Sequence, residues 1–218
     1  MCSSRVYRTL LDPHESVLLL IDHQPRMLAG VASGDRRTLC DNVTGLARTA
    51  KAFGVPTVLT GGTAEEFAAP LVDACTDAFP DRSVVGRTCA NAWADVRVRD
   101  AVLATGRRQI VMAGLWTEIG LVLPALSALE EGREVYVVAD ASGGTSAEAH
   151  QLGIQRITQA GGVPLTWLQL LGEFQREGAG EETRAAVEAI VRTHGGAWGL
   201  GFPLGREDSA TLAEARPS

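Results

Sequence analysis

The strongest constraint in this sequence is an alternation. Short, almost wholly apolar runs are separated by longer segments with helical spacing, and most of those segments close on glycine. The runs are Ser16 to Ile21 (SVLLLI), Val55 to Thr60 (VPTVLT), Ser83 to Val85, Gln109 to Ala113 (QIVMA), Glu134 to Ala139 (EVYVVA) and Val163 to Leu168 (VPLTWL). A strand with one wet face alternates apolar and polar residues, whereas a continuous apolar run belongs to a strand covered on both faces. Between the runs, Arg36 to Phe53, Val96 to Thr105, Ile119 to Glu131 and Ser146 to Ala160 read as helices. Each is followed by a glycine (Gly54, Gly106, Gly132, Gly161) suited to a helix C-terminus. The pattern predicts an α/β protein: a Rossmann-like three-layer fold with a six-stranded parallel sheet, helices on both faces and right-handed crossovers.

The expected domain spans residues 1–195. Glu173 to His194 reads as a charged helix, and a C-terminal tail, 196–218, follows Gly195. Its stretch Ala197-Trp198-Gly199-Leu200-Gly201-Phe202-Pro203 mixes glycine with aromatics. That suits docking on a neighbouring copy, or equally packing on its own domain. The final dozen residues have the composition of a disordered end.

Charge and cysteine usage exclude several classes. The net charge is −6, and the doublets Arg36-Arg37 and Arg107-Arg108 are too isolated to form the basic stripe of a nucleic-acid binder. No apolar run approaches the ~18 residues of a membrane span. The N-terminal Met1-Cys2-Ser3-Ser4-Arg5 has no signal-peptide apolar region, so a cytoplasmic setting with reduced thiols is expected. Cys2, Cys40, Cys75 and Cys89 show no CxxC spacing, and His14, His23, His150 and His194 are scattered, so no metal site is expected. Gly143-Gly144-Thr145 is not a nucleotide-binding fingerprint, and no cofactor is indicated. The basic residues comprise 19 Arg and one Lys, Lys51.

In an open parallel sheet, ligands bind beyond the carboxyl ends of the strands. The candidates are therefore Asp22-His23-Gln24, Thr60 with Gly61-Gly62, Arg87, the segment Gly114 to Gly120, and Asp140. Asp22 ends an apolar strand, and a carboxylate there is partly desolvated, with a raised pKa suited to acid–base work. The competing reading is a structural Asp capping the next turn. Arg87 could pair with Asp22 or hold a substrate carboxylate. Asn91 and Trp93 beyond it offer an amide and an aromatic wall. Thr117 has the chemistry of an N-cap, with the N–H groups of its turn forming an oxyanion site, although a plain strand–helix turn needs no function. Cys89 follows Arg87 by two residues and is either a thiol beside a cation or a small buried hydrophobe.

Taken together, these stretches resemble the isochorismatase-like hydrolase superfamily, especially its YcaC-like branch. The likeness is carried by Val17-Leu18-Leu19-Leu20-Ile21-Asp22-His23-Gln24, by Arg87 with Asn91-Ala92-Trp93, and by Ala113-Gly114-Leu115-Trp116-Thr117-Glu118-Ile119-Gly120. Pro124 to Ala128, Val137 to Gly143, Gln159-Ala160-Gly161 and Leu165-Thr166-Trp167 extend it over roughly residues 10 to 200. The resemblance implies a catalytic Asp, a Lys and a nucleophilic Cys at the helix start after the fourth strand, with a cis peptide there at Trp116–Thr117. Asp22 fills the first position, Arg87 the second, and Gly120 the third.

Glycine supplies no nucleophile, and Lys51 lies within a helix away from the strand ends. True isochorismatases resemble this arrangement: they carry Gly in the same slot and cleave a vinyl ether with the Asp supplying the proton. The turn Trp116-Thr117-Glu118-Ile119-Gly120 looks like a hybrid of the two branches, and the absent thiol implies a larger pocket. The leading expectation is thus a hydrolase acting without a covalent cysteine intermediate. Asp22, Arg87 and Gly120 form its catalytic centre, and His23, Gln24, Asn91, Trp93, Trp116, Thr117 and Ile119 hold a small-molecule substrate, anionic or cyclic. The reaction would be vinyl-ether or related C–O or C–N cleavage of the kind found in secondary metabolism. The alternatives are a catalytically inactive scaffold or ligand-binding member of the family, and an amide or nitrile hydrolase with its nucleophile relocated to Cys89. A homo-oligomer is expected, and substrate choice falls to the loops Pro25 to Asp35, Gly61 to Pro70 and Gly143 to Ala147.

Overall fold

A computed structural model describes residues 10–63, 69–176 and 181–199. Six parallel strands form one sheet: β1 (Ser16–Ile21), β2 (Thr57–Gly62), β3 (Val84–Arg87), β4 (Gln109–Gly114), β5 (Glu134–Val138) and β6 (Val163–Leu165), in the order β3-β2-β1-β4-β5-β6. The order reverses at β1, which pairs with both β2 and β4 and runs in register Ile21 with Thr60 on one side and Gly114 on the other. Everything that leaves the ends of β1, β2 and β4 therefore converges at the switch point where such sheets bind ligands.

Alternation along β1 divides the core. Leu18 and Leu20 face the layer of α2 (Arg36–Ala52), α7 (Trp167–Gln175) and α8 (Glu181–His194), together with the short α3 (Asp73–Thr76). Val17, Leu19 and Ile21 face α4 (Val96–Leu103), α5 (Val122–Glu130) and α6 (Ala147–Gln159). All six residues of β1 are buried, as the continuous apolar run requires. A third, smaller apolar cluster joins Met27 on α1 (Pro25–Ala29) to Val31, Leu39 and Leu115 at the carboxyl end of the sheet.

The helix ends follow local chemistry. Asp35, Asp95, Ser146 and Thr166 each accept a hydrogen bond from a first-turn N–H. Gly54 and Gly132, just past α2 and α5, take φ of +64° and +73°, where a Cβ would be strained. The expected last strand is shorter than the sequence pattern suggested. It stops at Leu165 because Thr166 caps α7 by accepting from Gln169 N–H, so Trp167 and Leu168 are helical. The charged C-terminal helix is correspondingly α8 alone, with Glu173 belonging to α7. Leu200 to Pro203 and the final dozen residues lie outside the described residues. Trp198 does not, and its side chain is exposed.

Candidate active site

Asp22 follows β1 directly and takes φ +58°, a turn that Asp tolerates better than branched residues do. The turn throws Asp22 and Gln24 to one side and His23 to the other. The Asp22 carboxylate is nearly buried. Its Oδ2 is paired with Arg87 Nη2, and its Oδ1 accepts from Gly62 N–H at 3.0 Å. Burial pushes the Asp22 pKa above its ordinary value, opposed by the charge and hydrogen bond of Arg87. Arg87, at the end of β3, also donates from Nη1 to the carbonyls of Cys89 and Ala90. The guanidinium therefore holds the catalytic-type carboxylate and the following rim segment at once, while its buried Nε–H has no partner.

These groups border a cleft of about 270 Å³, lined by Asp22, Gln24, Arg87 and Gly120 with Met27, Trp116 and Ile119 as apolar walls. Thr88, Cys89, Ala90 and Gly62 complete the rim. Gln24 lies in the lining, but its amide is committed: Oε1 accepts from Gly62 N–H at 2.9 Å, and Nε2 donates to the carbonyls of Gly62 and Ala69. It positions the end of β2 beside Asp22 instead of offering a free amide to a substrate.

Several expected site residues lie elsewhere. His23 is buried, with Nε2 donating to Ala141 O at 3.0 Å; burial lowers its pKa to about 4. It braces the segment after β5 and does not border the cleft. Trp93 packs in the core on the α4–α6 side, and its buried indole N–H lacks a partner. Asn91 caps the short 3-10 turn at Trp93 N–H and donates to Ser127 Oγ. Asp140 accepts from Trp167 N–H at the start of α7 and faces a separate cavity of about 220 Å³ shared with His150 and Asn42. Its role here is to cap a helix.

The turn after β4 also differs from expectation. No cis peptide occurs among the described residues, so Trp116–Thr117 is trans. The chain reverses instead through Trp116 at φ +42°, held by its indole Nε1–H donating to Met27 O at 3.0 Å. Thr117 does not cap the turn: its hydroxyl bonds His150 Nδ1 at 2.8 Å. Three N–H groups of the turn expected to serve as oxyanion donors are also committed. Thr117 N–H donates to Gly143 O, and the Ile119 and Gly120 N–H groups both donate to Trp116 O.

At Gly120, the position to which the resemblance assigns a nucleophile, a Cβ would lie 3.6 Å from Asp22 Oδ2. The same Cβ would stand 2.2 Å from Leu115 O, so a side chain at this position requires the backbone to shift. Cys89 lines the cleft as a half-buried thiol donating to Asn91 O. Met27, Thr88 and Ala90 were not singled out from the sequence. Thr88 and Ala90 follow the strand-end rule from Arg87, and Met27 falls in the expected specificity loop.

Fold, switch-point cleft and paired Asp22–Arg87 define an isochorismatase-like α/β hydrolase. Residues 16–169 match the Isochorismatase domain, and the chain belongs to that family. Among its relatives, the probable hydrolase YcaC of Escherichia coli is 37% identical over 77% of this chain and 81% of its own length. A probable isochorismatase of Pseudomonas chlororaphis is 26% identical over 66% of this chain and 79% of its own length. The crystal structure of the E. coli YcaC product, described as an octameric hydrolase of unknown specificity, superposes with a TM-score of 0.83 at 31% identity, covering 95% of this chain and 98% of that one. YcaC from Pseudomonas aeruginosa, solved with hexane-2,5-diol and covalent acrylamide, gives 0.80 at 30% identity over 97% and 98% of the two chains. No helix among the described residues is long and apolar enough to cross a membrane.

Proposed function

We propose that this hydrolase cleaves a small molecule without a covalent cysteine intermediate, using Asp22 as general acid and base. The observation that carries the reading is the combination at one point of a nearly buried carboxyl, its pKa raised by burial, and a Gly120 whose Cβ position is blocked by Leu115 O. Acyl transfer needs a nucleophile and donors aimed at the developing oxyanion. The first is missing at Gly120, and the Thr117, Ile119 and Gly120 N–H groups are spent on carbonyls. Cleavage of a vinyl ether needs neither. Protonation of the terminal vinyl carbon by Asp22 gives an oxocarbenium ion. Water adds to it, its proton returns to the Asp22 carboxylate, and the hemiketal collapses to a carbonyl compound and an alcohol. Arg87 positions Asp22 and stabilises the carboxylate left after proton transfer.

Asp22→Asn keeps an acceptor for Arg87 and removes the transferable proton. Incubated with a metabolite extract, the wild-type chain is expected to consume a compound that the folded Asp22→Asn variant leaves intact. Equal consumption by both overturns the reading, and consumption by neither favours the inactive scaffold. Cys89 in the cleft lining supports a second reading, amide or nitrile hydrolysis through a relocated nucleophile. Iodoacetamide labelling that selects Cys89 and abolishes turnover would favour it. We further infer a homo-oligomer, by likeness to the octameric E. coli YcaC, which light scattering tests.

A further inference from the structure

Charge in the cleft is internally matched. Among the described residues, Asp22 and Arg87 are the formally charged side chains that line it, and they are paired with each other. Both Arg87 Nη groups are engaged, one by Asp22 and the other by two rim carbonyls. The rest of the wall carries no cation: Met27 and Ile119 are aliphatic, and the polar edge of Trp116 is spent on Met27 O. An incoming anion would meet the Asp22 carboxylate and find its cation already bound. An incoming cation would have to displace Arg87 from Asp22. Either step strands a charge in a nearly buried place, which is strongly unfavourable.

Apolar side chains make up most of the wall, in a volume of about 270 Å³. That is at the lower edge of the ~300–1,000 Å³ usual for ligand clefts.

We propose that the cleft selects a compact, uncharged molecule with an apolar body. The inference rests on the acid–base reading for the location of the site. It replaces the expectation of an anionic substrate.

Three probes share one ring and differ in charge: benzamide, benzoate and benzamidinium. The full-length chain is alkylated with iodoacetamide in the presence of each, and labelling is followed at Cys89 by peptide mass spectrometry. Cys40, half-buried in a different groove, is the internal control. The concentration of benzamide that halves the labelling rate of Cys89 should be at least about tenfold below that of either charged probe, with Cys40 unaffected. Should Cys89 react too slowly to follow, saturation-transfer NMR reads the same ranking. Benzoate or benzamidinium binding as well as benzamide overturns the proposal, and so does failure of all three to bind. The two readings fail separately. If the acid–base reading is wrong, Asp22→Asn keeps turnover while the preference for benzamide stands. If the charge inference is wrong, the preference disappears while Asp22→Asn still abolishes turnover.

Discussion

The proposed mechanism turns on Gly120, the position where the family resemblance places a nucleophile. A Cβ at this position would approach Leu115 O to 2.2 Å, far inside any contact that real Cβ atoms make. Relief requires one partner to retreat by roughly 1 Å, since carbon–oxygen contacts settle near ~3.4 Å. The obstacle is a backbone oxygen and cannot rotate away as a side-chain tip would. Leu115 is held by its N–H to Ile21 O at 3.1 Å and by its bridge to Gly143, and its side chain is buried. Gly120 is tied by its N–H to Trp116 O at 2.7 Å. Overpacking costs about 1–3 kcal/mol where side chains can shift, so Gly120→Ala should reach the top of that range. For a chain of this size ~3 kcal/mol lowers Tm by roughly 6–12 °C. Thermal and urea denaturation of Gly120→Ala measures this directly. Gly120→Cys should be destabilised likewise, and its new thiol should alkylate no faster than Cys89. A Gly120→Ala Tm within about 1 °C of wild type would refute the steric argument. A rapidly alkylated Cys in Gly120→Cys, with amide-hydrolase activity, would refute the blocked position.

Removing Arg87 leaves the Asp22 carboxylate buried and the Cys89 and Ala90 carbonyls without their donor, so Arg87→Met should cost about 3–5 kcal/mol in urea unfolding. Arg87→Lys keeps the charge but not the fork, and should recover only part of that loss. His23 gives a pH signature. Its folded pKa of about 4 lies below the ordinary histidine value of 6.5, so as pH falls through that window the unfolded chain takes up a proton that the folded chain refuses. Its contribution is present above about 6.5 and is lost as pH falls to about 4, amounting to roughly 3 kcal/mol. Raised Asp22 acts oppositely, losing stability as pH rises above 3.8, so the test is the difference between wild type and His23→Gln. The variant should show a flatter decline in stability on acidification, and identical pH–stability curves would contradict the assignment. Gly30 faces the Trp116 indole, where a Cβ would come within 2.9 Å. Gly30→Ala should therefore displace that wall and lower stability by about 1–3 kcal/mol, seen as a Tm decrease with altered benzamide affinity.

The sheet was legible because its information is local and repeated. The continuous apolar runs mark the six strands, those of β1, β2, β4 and β5 buried and those of the edge strands β3 and β6 partly exposed, and each following glycine marks a helix end. The site was legible to the extent that it follows from strand ends: Asp22, Arg87, Trp116, Ile119 and Gly120 all border one cleft. Expectation and structure part where the direction of a side chain, and not its position along the chain, decides whether it borders the cleft. His23 stands between two cleft residues and points away from both, an alternation that Asp22-His23-Gln24 could have suggested. Trp93 looked like a wall because aromatics often line sites, yet its burial puts it in the core. The Thr166-Trp167-Leu168-Gln169 stretch carries the Ser/Thr-x-x-Glu/Gln pattern of a helix start, and reading it would have ended the last strand at Leu165.

No residue pattern could show that Leu115 O blocks the Cβ position at Gly120, because that contact depends on a backbone turn set by Trp116 at positive φ. The sequence shows which side chain is absent; the backbone shows that none fits there without a shift. This pairing is what supports the proposed proton transfer over acyl transfer. A mere substitution of Cys by Gly would leave an open slot beside Asp22 with N–H groups free to receive an oxyanion. Here the Cβ position is blocked and three N–H groups of the turn are bonded, while the Asp22–Arg87 pair remains intact at the mouth of the cleft.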